Sequence, residues 1–375
     1  KDDVVSEGFN TVTYTGTGAS NSVSGIGFQP DFTWIKKRNG TTDHQLVNSV
    51  VGYPNGTLLS NATDAEYTDA ARVDSADADG FTVSSPAQVN ADGDTYVAWN
   101  WEAGGTPTAD NSAGAGATPT AGSVKIDGSN LGSALAGSIA ATRLSANTAR
   151  GFSIVSFEGS GSNATIAHGL SAAPDWIIVK NRENASGLWL VYHSANTANP
   201  ETEYLQLEGT AATADDNSAW NDTAPTSTVF SVGTSAASNQ SGKKIIAYCW
   251  TDISGYSKFG SYSGSGSSGK TVACGFSPAF VIIKRSSGGT GDWTIFDNTR
   301  DATYDGTNNR LWANLSTAES TTANYLEITS TGFTLKAGDG AINNGSSTYV
   351  FMAFADTREA AFFKDVSSNG NHFTP

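Results

Sequence analysis

Charged residues make up only 15% of the 375 residues, cysteine occurs twice and methionine once. No apolar run approaches the roughly 18 to 20 residues that a membrane-spanning helix needs. Cys249 and Cys274 are too few for a disulfide framework and read as reduced, half-buried thiols. Lysine and arginine number 21 against 36 acidic residues, for a formal net charge of −15. That sign argues against nucleic acid and against an anionic membrane surface, because both select a basic face. Catalytic signatures are missing too: the sequence contains no G-x-S-x-G, C-x-x-C or H-E-x-x-H pattern. The chain opens on Lys1 rather than Met, which reads as a processed product or a fragment.

What fills the space is glycine (41 residues), together with Ser, Thr, Asn and Ala, while apolar residues reach 38% and aromatics 10%. Such a mixture suits short strands joined by many tight turns, since Gly, Asn and Ser supply the conformations turns demand. The length allows two or three domains with sizeable cores.

Three stretches repeat one phrase: YTGTGASNSVSGIGFQPDFTWIKKR from Tyr14, FEGSGSNATIAHGLSAAPDWIIVKNR from Phe157 and YSGSGSSGKTVACGFSPAFVIIKR from Tyr262. Each opens on an aromatic and a Gly-x-Gly step and reaches a proline (Pro30, Pro174, Pro278) before a strand-like run. Further on, His44, Trp189 and Trp293 fall in one column, and TYVAWNWE, KIIAYCWT and TYVFMAFA close the three blocks. Pro30 to Trp99 is 69 positions, and Pro174 to Tyr248 and Pro278 to Met352 are 74 each. Six or seven short strands per block, with turns every 8 to 12 residues, predict an antiparallel β-sandwich. The expected fold is therefore all-β: three tandem sandwiches in a row at 8–104, 151–255 and 256–358. A linker with two pieces able to form a hairpin arm lies at 105–150, and an extension at 359–375.

The repeated phrase reads as architecture. Runs such as Trp176 to Val179 are apolar on both strand faces, which marks a strand covered on both sides. The Gly-x-Gly steps have no helix after them, so the phosphate-loop reading fails and a turn role remains.

The sequence offers few chemical candidates. Among the four histidines, His44 and His193 lie in neighbouring columns where the other blocks carry Trp, Asn or Asp, and no general base survives such an exchange. Both are expected to be surface or half-buried strand residues. Ser75, Asp77, Asp79 and Gly80 imitate the start of a calcium loop, yet its twelfth position is Pro86, and turn residues before a strand are the simpler account. Asp365, Ser367 and Asn369 have better-spaced oxygens for Ca2+, although no closing acid follows; no other cofactor is implied. Glu158, Glu183, Glu201, Glu203, Glu208 and Glu327 offer no pair that marks a hydrolytic cleft. Trp189, Trp220, Trp293 and Trp312 lie near block edges and are candidates for stacking on sugar faces, against the alternative that tryptophans fill the sandwich cores.

The phrases GFQPDFTWIKKR, TYVAWNWEAGG, GFSIVSFEGSG and FKDVSSNGNHFTP resemble a repeat family of large virion proteins of tailed phages, notably marine cyanophages. In that family a segment like DVSSNGNHFTP adjoins laminin-G or concanavalin-like domains. The resemblance implies a non-enzymatic virion surface protein, most simply a tail fibre or adhesin segment touching other virion proteins and a host glycan. A capsid-decorating or head-fibre protein and a secreted glycan-binding or glycan-cleaving protein remain as alternatives. It carries over no catalytic residue, implies neither nucleic acid nor membrane insertion, and leaves a homo-oligomer open.

Overall fold

The structure is a computed structural model that describes residues 8–54, 56–68, 72–301 and 307–357. Its first unit holds β1 (Phe9–Thr15), β2 (Asn21–Ser24), β3 (Phe32–Lys37), β4 (Gln45–Asn48), β5 (Val73–Asp77), β6 (Gly80–Val83) and β7 (Thr95–Trp101). An arm follows with β8 (Val124–Ile126), β9 (Ser129–Asn130) and β10 (Ala141–Asn147). The second unit holds β11 (Phe152–Glu158), β12 (Ala164–Ala167), β13 (Trp176–Asn181), β14 (Trp189–His193), β15 (Glu203–Gln206), β16 (Ala214–Asp215), β17 (Val229–Val232) and β18 (Lys244–Trp250). The third holds β19 (Ser257–Ser263), β20 (Lys270–Ala273), β21 (Pro278–Arg285), β22 (Thr294–Asp297), β23 (Leu311–Trp312), β24 (Leu326–Thr329), β25 (Gly332–Leu335) and β26 (Thr348–Ala355).

The same pairing recurs in all three. Large sheets run β1-β7-β3-β4, β11-β18-β13-β14 and β19-β26-β21-β22, and small sheets β2-β6-β5, β12-β17 and β20-β25-β24. The closing strand pairs antiparallel with the opening strand on one side and the proline-led strand on the other. The arm extends the second large sheet: β8 and β9 form a hairpin, and β8 lies parallel to β10, which pairs with β11. The expected hairpin is thus present, but as part of a sheet.

Alternation along the strands creates two kinds of core. Ile35, Val47, Phe81 and Ala98 fill the first sandwich, as Ile177, Val179, Phe230 and Ala247 do the second and Val281, Ile283, Phe333 and Ala353 the third. The opposite faces of the large sheets carry Phe32, Trp34, Trp99 and Trp101, then Trp176, Ile178, Tyr248 and Trp250, then Phe280, Ile282, Met352 and Phe354; all belong to one common cluster. The units are not strung in a row. They lean their large sheets together around a shared aromatic core, which is why strands such as β13 are apolar on both faces.

The repeated Gly-x-Gly phrase wraps a buried asparagine. Asn90, Asn239 and Asn343 each accept from the backbone N–H of Thr17, Ser160 or Ser265 (2.8 Å in each case). Their amides donate back to the carbonyls of Ala19, Ser162 and Ser267. Gly18, Gly161 and Gly266 take φ near +70°, the region glycine enters without strain, and a Cβ on Gly16, Gly159 or Gly264 would strike a backbone carbonyl.

Candidate functional site

Polar side chains gather where one unit meets the next, and the same contacts recur at the three junctions. Trp189 Nε1 donates to the Leu59 carbonyl at 2.9 Å, Trp293 Nε1 to Gln206 at 2.7 Å, and His44 Nε2 to Trp312 at 2.9 Å. Donors and acceptors occupy matching positions: Leu59, Gln206 and Trp312 share a column in the segments TLLSN, EYLQLE and RLWAN. Unit two therefore grips unit one, unit three grips unit two, and unit one grips unit three. Backbone bonds follow the same circuit, from Glu66 N to Arg182 O (2.7 Å), Thr213 N to Ser286 O (3.0 Å) and Glu319 N to Arg38 O (2.8 Å).

A second column closes the ring at the ends of β4, β14 and β22. Asn48 Nδ2 donates to Tyr248 Oη at 3.0 Å, His193 Nε2 to the Phe351 carbonyl at 3.1 Å, and Asp297 Oδ2 accepts from Trp99 Nε1 at 2.9 Å. At this last junction Asp297 also holds Arg300 (Nε to Oδ2, 2.6 Å), Arg300 pairs with Glu319 (2.8 Å), and Glu319 pairs with Arg38 (2.8 Å). The side chains of Arg300 and Asp297 are fully buried. Arg182 and Glu66 form the matching pair between units one and two, while Ser286 and Thr213 replace it between two and three.

These contacts fix the chemistry of the histidines. Trp34 Nε1 donates to His44 Nδ1 at 2.7 Å, so the ring proton sits on Nε2 and points at Trp312. The same tautomer holds in His193, whose Nδ1 accepts from Ala195 N, and in His168, whose Nδ1 accepts from Leu170 N. Burial pushes His44 down to about 3 and His168 and His193 to about 4, with Lys36 adding repulsion at His44. All three are buried, contrary to the surface or half-buried setting expected from the sequence for His44 and His193. All three serve as fixed donors, and His44 and His193 stand where the sister units carry tryptophan or, in the first unit, asparagine.

Lys36, Lys180 and Lys284 occupy one column and are fully buried, and desolvation lowers each to about 8. Lys180 Nζ bonds Thr63 O (2.8 Å) and Lys284 Nζ reaches Gly209 O (3.4 Å), both in the preceding unit. Lys36 bonds its own unit, at Lys37 O and Gly40 O. Glu208, whose carboxyl burial raises, accepts from Trp189 N at 3.0 Å, as Asn61 and Asn314 do from His44 N and Trp293 N. These groups hold backbone in place through the bonds named above.

The tryptophans expected to stack on sugars divide sharply. Trp189, Trp220 and Trp293 are at most 2% exposed, locked by Nε1 bonds to Leu59, Glu203 and Gln206, and cannot meet a ligand; the sequence reading is corrected there. Their apolar bulk completes cores, which outweighs any surface use. Trp312 remains partly exposed, beside Arg310 and Tyr325. Arg310 Cζ lies 4.8 Å from the Trp312 ring centre and 4.0 Å from that of Tyr325, and Nη1 pairs with Asp339 at 3.2 Å.

Asp77 accepts from Ser75 and Thr82, and Asp79 from Gly25 N and Gly27 N, so the imitation calcium loop uses its carboxylates to tie strands. Asp365, Ser367 and Asn369 lie outside the described residues. Cys249 and Cys274 are free and buried, more deeply than half-buried. On the axis of the ring, Phe32, Trp101, Trp176, Trp250, Phe280 and Met352 line an apolar cavity of about 10 Å³, no larger than one water. Nε1 of Trp101, Trp176 and Trp250 is buried without an acceptor, a cost of about 1–3 kcal/mol each that the aromatic packing offsets. The column of Asn48, His193 and Asp297 was visible in the sequence, but its role between units escaped sequence reasoning. Its signal was a polar residue ending the same strand in all three copies.

No curated protein matches the chain. A family profile described as "Domain of unknown function (DUF7483)" matches twice, over residues 5–125 and 120–358. The two matches together span nearly the whole ring, the second taking in units two and three. The chain belongs to the DUF7483 family.

Proposed function

We propose that this chain is a non-enzymatic structural protein of a phage virion, acting at the virion surface as the adhesive part of a tail fibre. The observation that carries the non-enzymatic part is the exchange within matched columns. His44 stands where Trp189 and Trp293 stand, and Asn48, His193 and Asp297 replace one another, so each column preserves a bonding role and no reacting group. The likeness of the repeated phrases to phage virion proteins supports the setting.

Phe9, at the start of the first strand, stacks on Phe354, near the end of the last described strand, with ring centres 4.8 Å apart, so the first and third units meet directly. Other virion proteins are the expected partners, with a host glycan as target. Gold-labelled antibody against the chain, imaged on intact virions, tests this reading. Label confined to the tail supports it, label over the whole capsid makes this a head-decorating protein, and unlabelled virions sink it. Release of reducing ends from glycan by the purified chain would overturn the non-enzymatic part.

A further inference from the structure

We propose that Trp312, Arg310 and Tyr325 form a platform for an uncharged pyranose ring of a surface glycan, a reading that rests on the adhesive role above and gives it a place. The internal repeat supplies the control. At the positions of Arg310, Trp312 and Tyr325 the first unit carries Thr57, Leu59 and Arg72, and the second Tyr204, Gln206 and Ala219. The match of the last column is fixed by equivalent backbone bonds: Ser84 N to Arg72 O, Gly233 N to Ala219 O and Lys336 N to Tyr325 O. The shared fold therefore forms without the trio, and its demands do not explain an indole and a phenol flanking a guanidinium in the third copy alone.

Chemistry narrows the occupant. Eight of the nine tryptophans are buried, and Trp312 alone is partly exposed. Arg310 lies between the two rings, 4.8 Å from one centre and 4.0 Å from the other, and its Nη1 bond to Asp339 holds it there. Asp339 is itself fixed, because its other oxygen accepts from Ala341 N at 2.9 Å. Aromatic rings beside a guanidinium, a group with five donors, suit the C–H face and hydroxyl oxygens of a sugar. Asp339 neutralises the arginine, and the net charge of −15 repels carboxylated sugars, so a neutral pyranose fits best.

The intact chain would be applied to an array of neutral oligosaccharides built from glucose, galactose, mannose and N-acetylglucosamine. The strongest ligand would then be titrated while acrylamide quenching of tryptophan emission is followed. Since the other indoles are buried, quenching reports mainly on Trp312, and bound sugar should suppress it. Trp312→Leu and Arg310→Thr, each importing the first unit's residue, should weaken binding about tenfold, with the melting temperature unchanged. An array that stays silent overturns the proposal, as does binding that survives Trp312→Leu. If that variant is destabilised, Arg310→Thr decides, and unweakened binding by it overturns the proposal. Labelled virions with a silent array would sink the platform alone; unlabelled virions with a sugar-binding chain would sink only the virion setting.

Discussion

Trp34 donates its indole N–H to Nδ1 of His44 at 2.7 Å, and this single bond turns the histidine's other nitrogen into a donor across the junction to unit three. In the sister units the pair reads Ile178 with Trp189 and Ile282 with Trp293, where the indole donates unaided and needs no neighbour to set a tautomer. The two positions work as alternatives, Trp with His or Ile with Trp.

Exchanging only one member should therefore be worse than exchanging both. His44→Trp leaves Trp34 Nε1 buried without an acceptor and overfills the site, at about 2–4 kcal/mol. Adding Trp34→Ile restores the sister arrangement and should recover at least half of that loss. Urea denaturation of the two single variants and the double variant measures the coupling. A double variant no more stable than His44→Trp would refute the equivalence.

Acid should weaken the fold well before ordinary carboxylates titrate. His44, His168 and His193 are held neutral by burial, at about 3, 4 and 4, against about 6.5 in the unfolded chain. Groups lowered in this way leave the unfolded chain binding more protons below pH 6.5. Their contribution is complete above that pH and is lost as pH falls towards 4, on the order of 3 kcal/mol per ring. Melting temperatures measured from pH 7 to pH 4 should fall steadily, and His168→Gln should flatten the slope. A flat profile would contradict the buried neutral assignment.

Much of this was legible in the sequence, and the limit has a physical cause. Repeats, turn glycines and the strands led by Pro30, Pro174 and Pro278 announce themselves through local chemistry, and the all-β fold follows. Strands such as Trp176 to Val179, apolar on both faces, say that something covers each side but not what. Here a sandwich partner covers one face and two sister units cover the other. Trp189 and Trp293 show the same limit: a tryptophan near a block edge looks exposed until another unit closes over it. His44 failed for the converse reason, since a histidine in a tryptophan column is buried if it can supply the same N–H, and that depends on Trp34.

Asp297 is a buried acceptor at the junction between the first and third units, which no stretch of chain links directly. It accepts from Arg300 Nε, Arg300 N and Trp99 Nε1. Asp297→Ala leaves the Trp99 indole without its acceptor and the buried Arg300 guanidinium with Glu319 as its one carboxylate partner, and should cost about 3 kcal/mol. Asp297→Asn keeps the shape but turns one acceptor into a donor facing donors, and should fall in between. Chemical denaturation of both variants gives the ranking, and an Ala variant as stable as the parent would show that the network contributes nothing.

The asparagine inside each glycine loop should matter more than its position in a turn suggests. Asn343 accepts from Ser265 N and donates to Ser267 O (2.8 Å) and Ala337 O (2.9 Å). Asn343→Ala removes these three hydrogen bonds and should cost about 2–3 kcal/mol, near 1 kcal/mol for each. Amide hydrogen exchange at Ser265 and Gly266 should accelerate in the variant while the first unit's Thr17 and Gly18 stay protected. Equal acceleration in both loops would show global destabilisation instead.

Finally, the ring should unfold in one step despite its three sandwiches. Peeling off the first unit would bare Phe9, Phe32, Trp34, Trp99 and Trp101, now buried against the other two. At about 2 kcal/mol for each large side chain, that exposure amounts to roughly 10 kcal/mol, comparable to the whole stability of an ordinary domain. A unit lifted from the ring would lose as much as its own fold supplies, so partial unfolding should not be populated. Scanning calorimetry should show a single peak whose calorimetric and van't Hoff enthalpies agree. Tryptophan emission, dominated by the common core, should change at the same temperature as the far-ultraviolet signal of the sheets. Two or three resolved transitions would mean that the sandwiches stand alone and that their shared aromatic face adds little to holding them together.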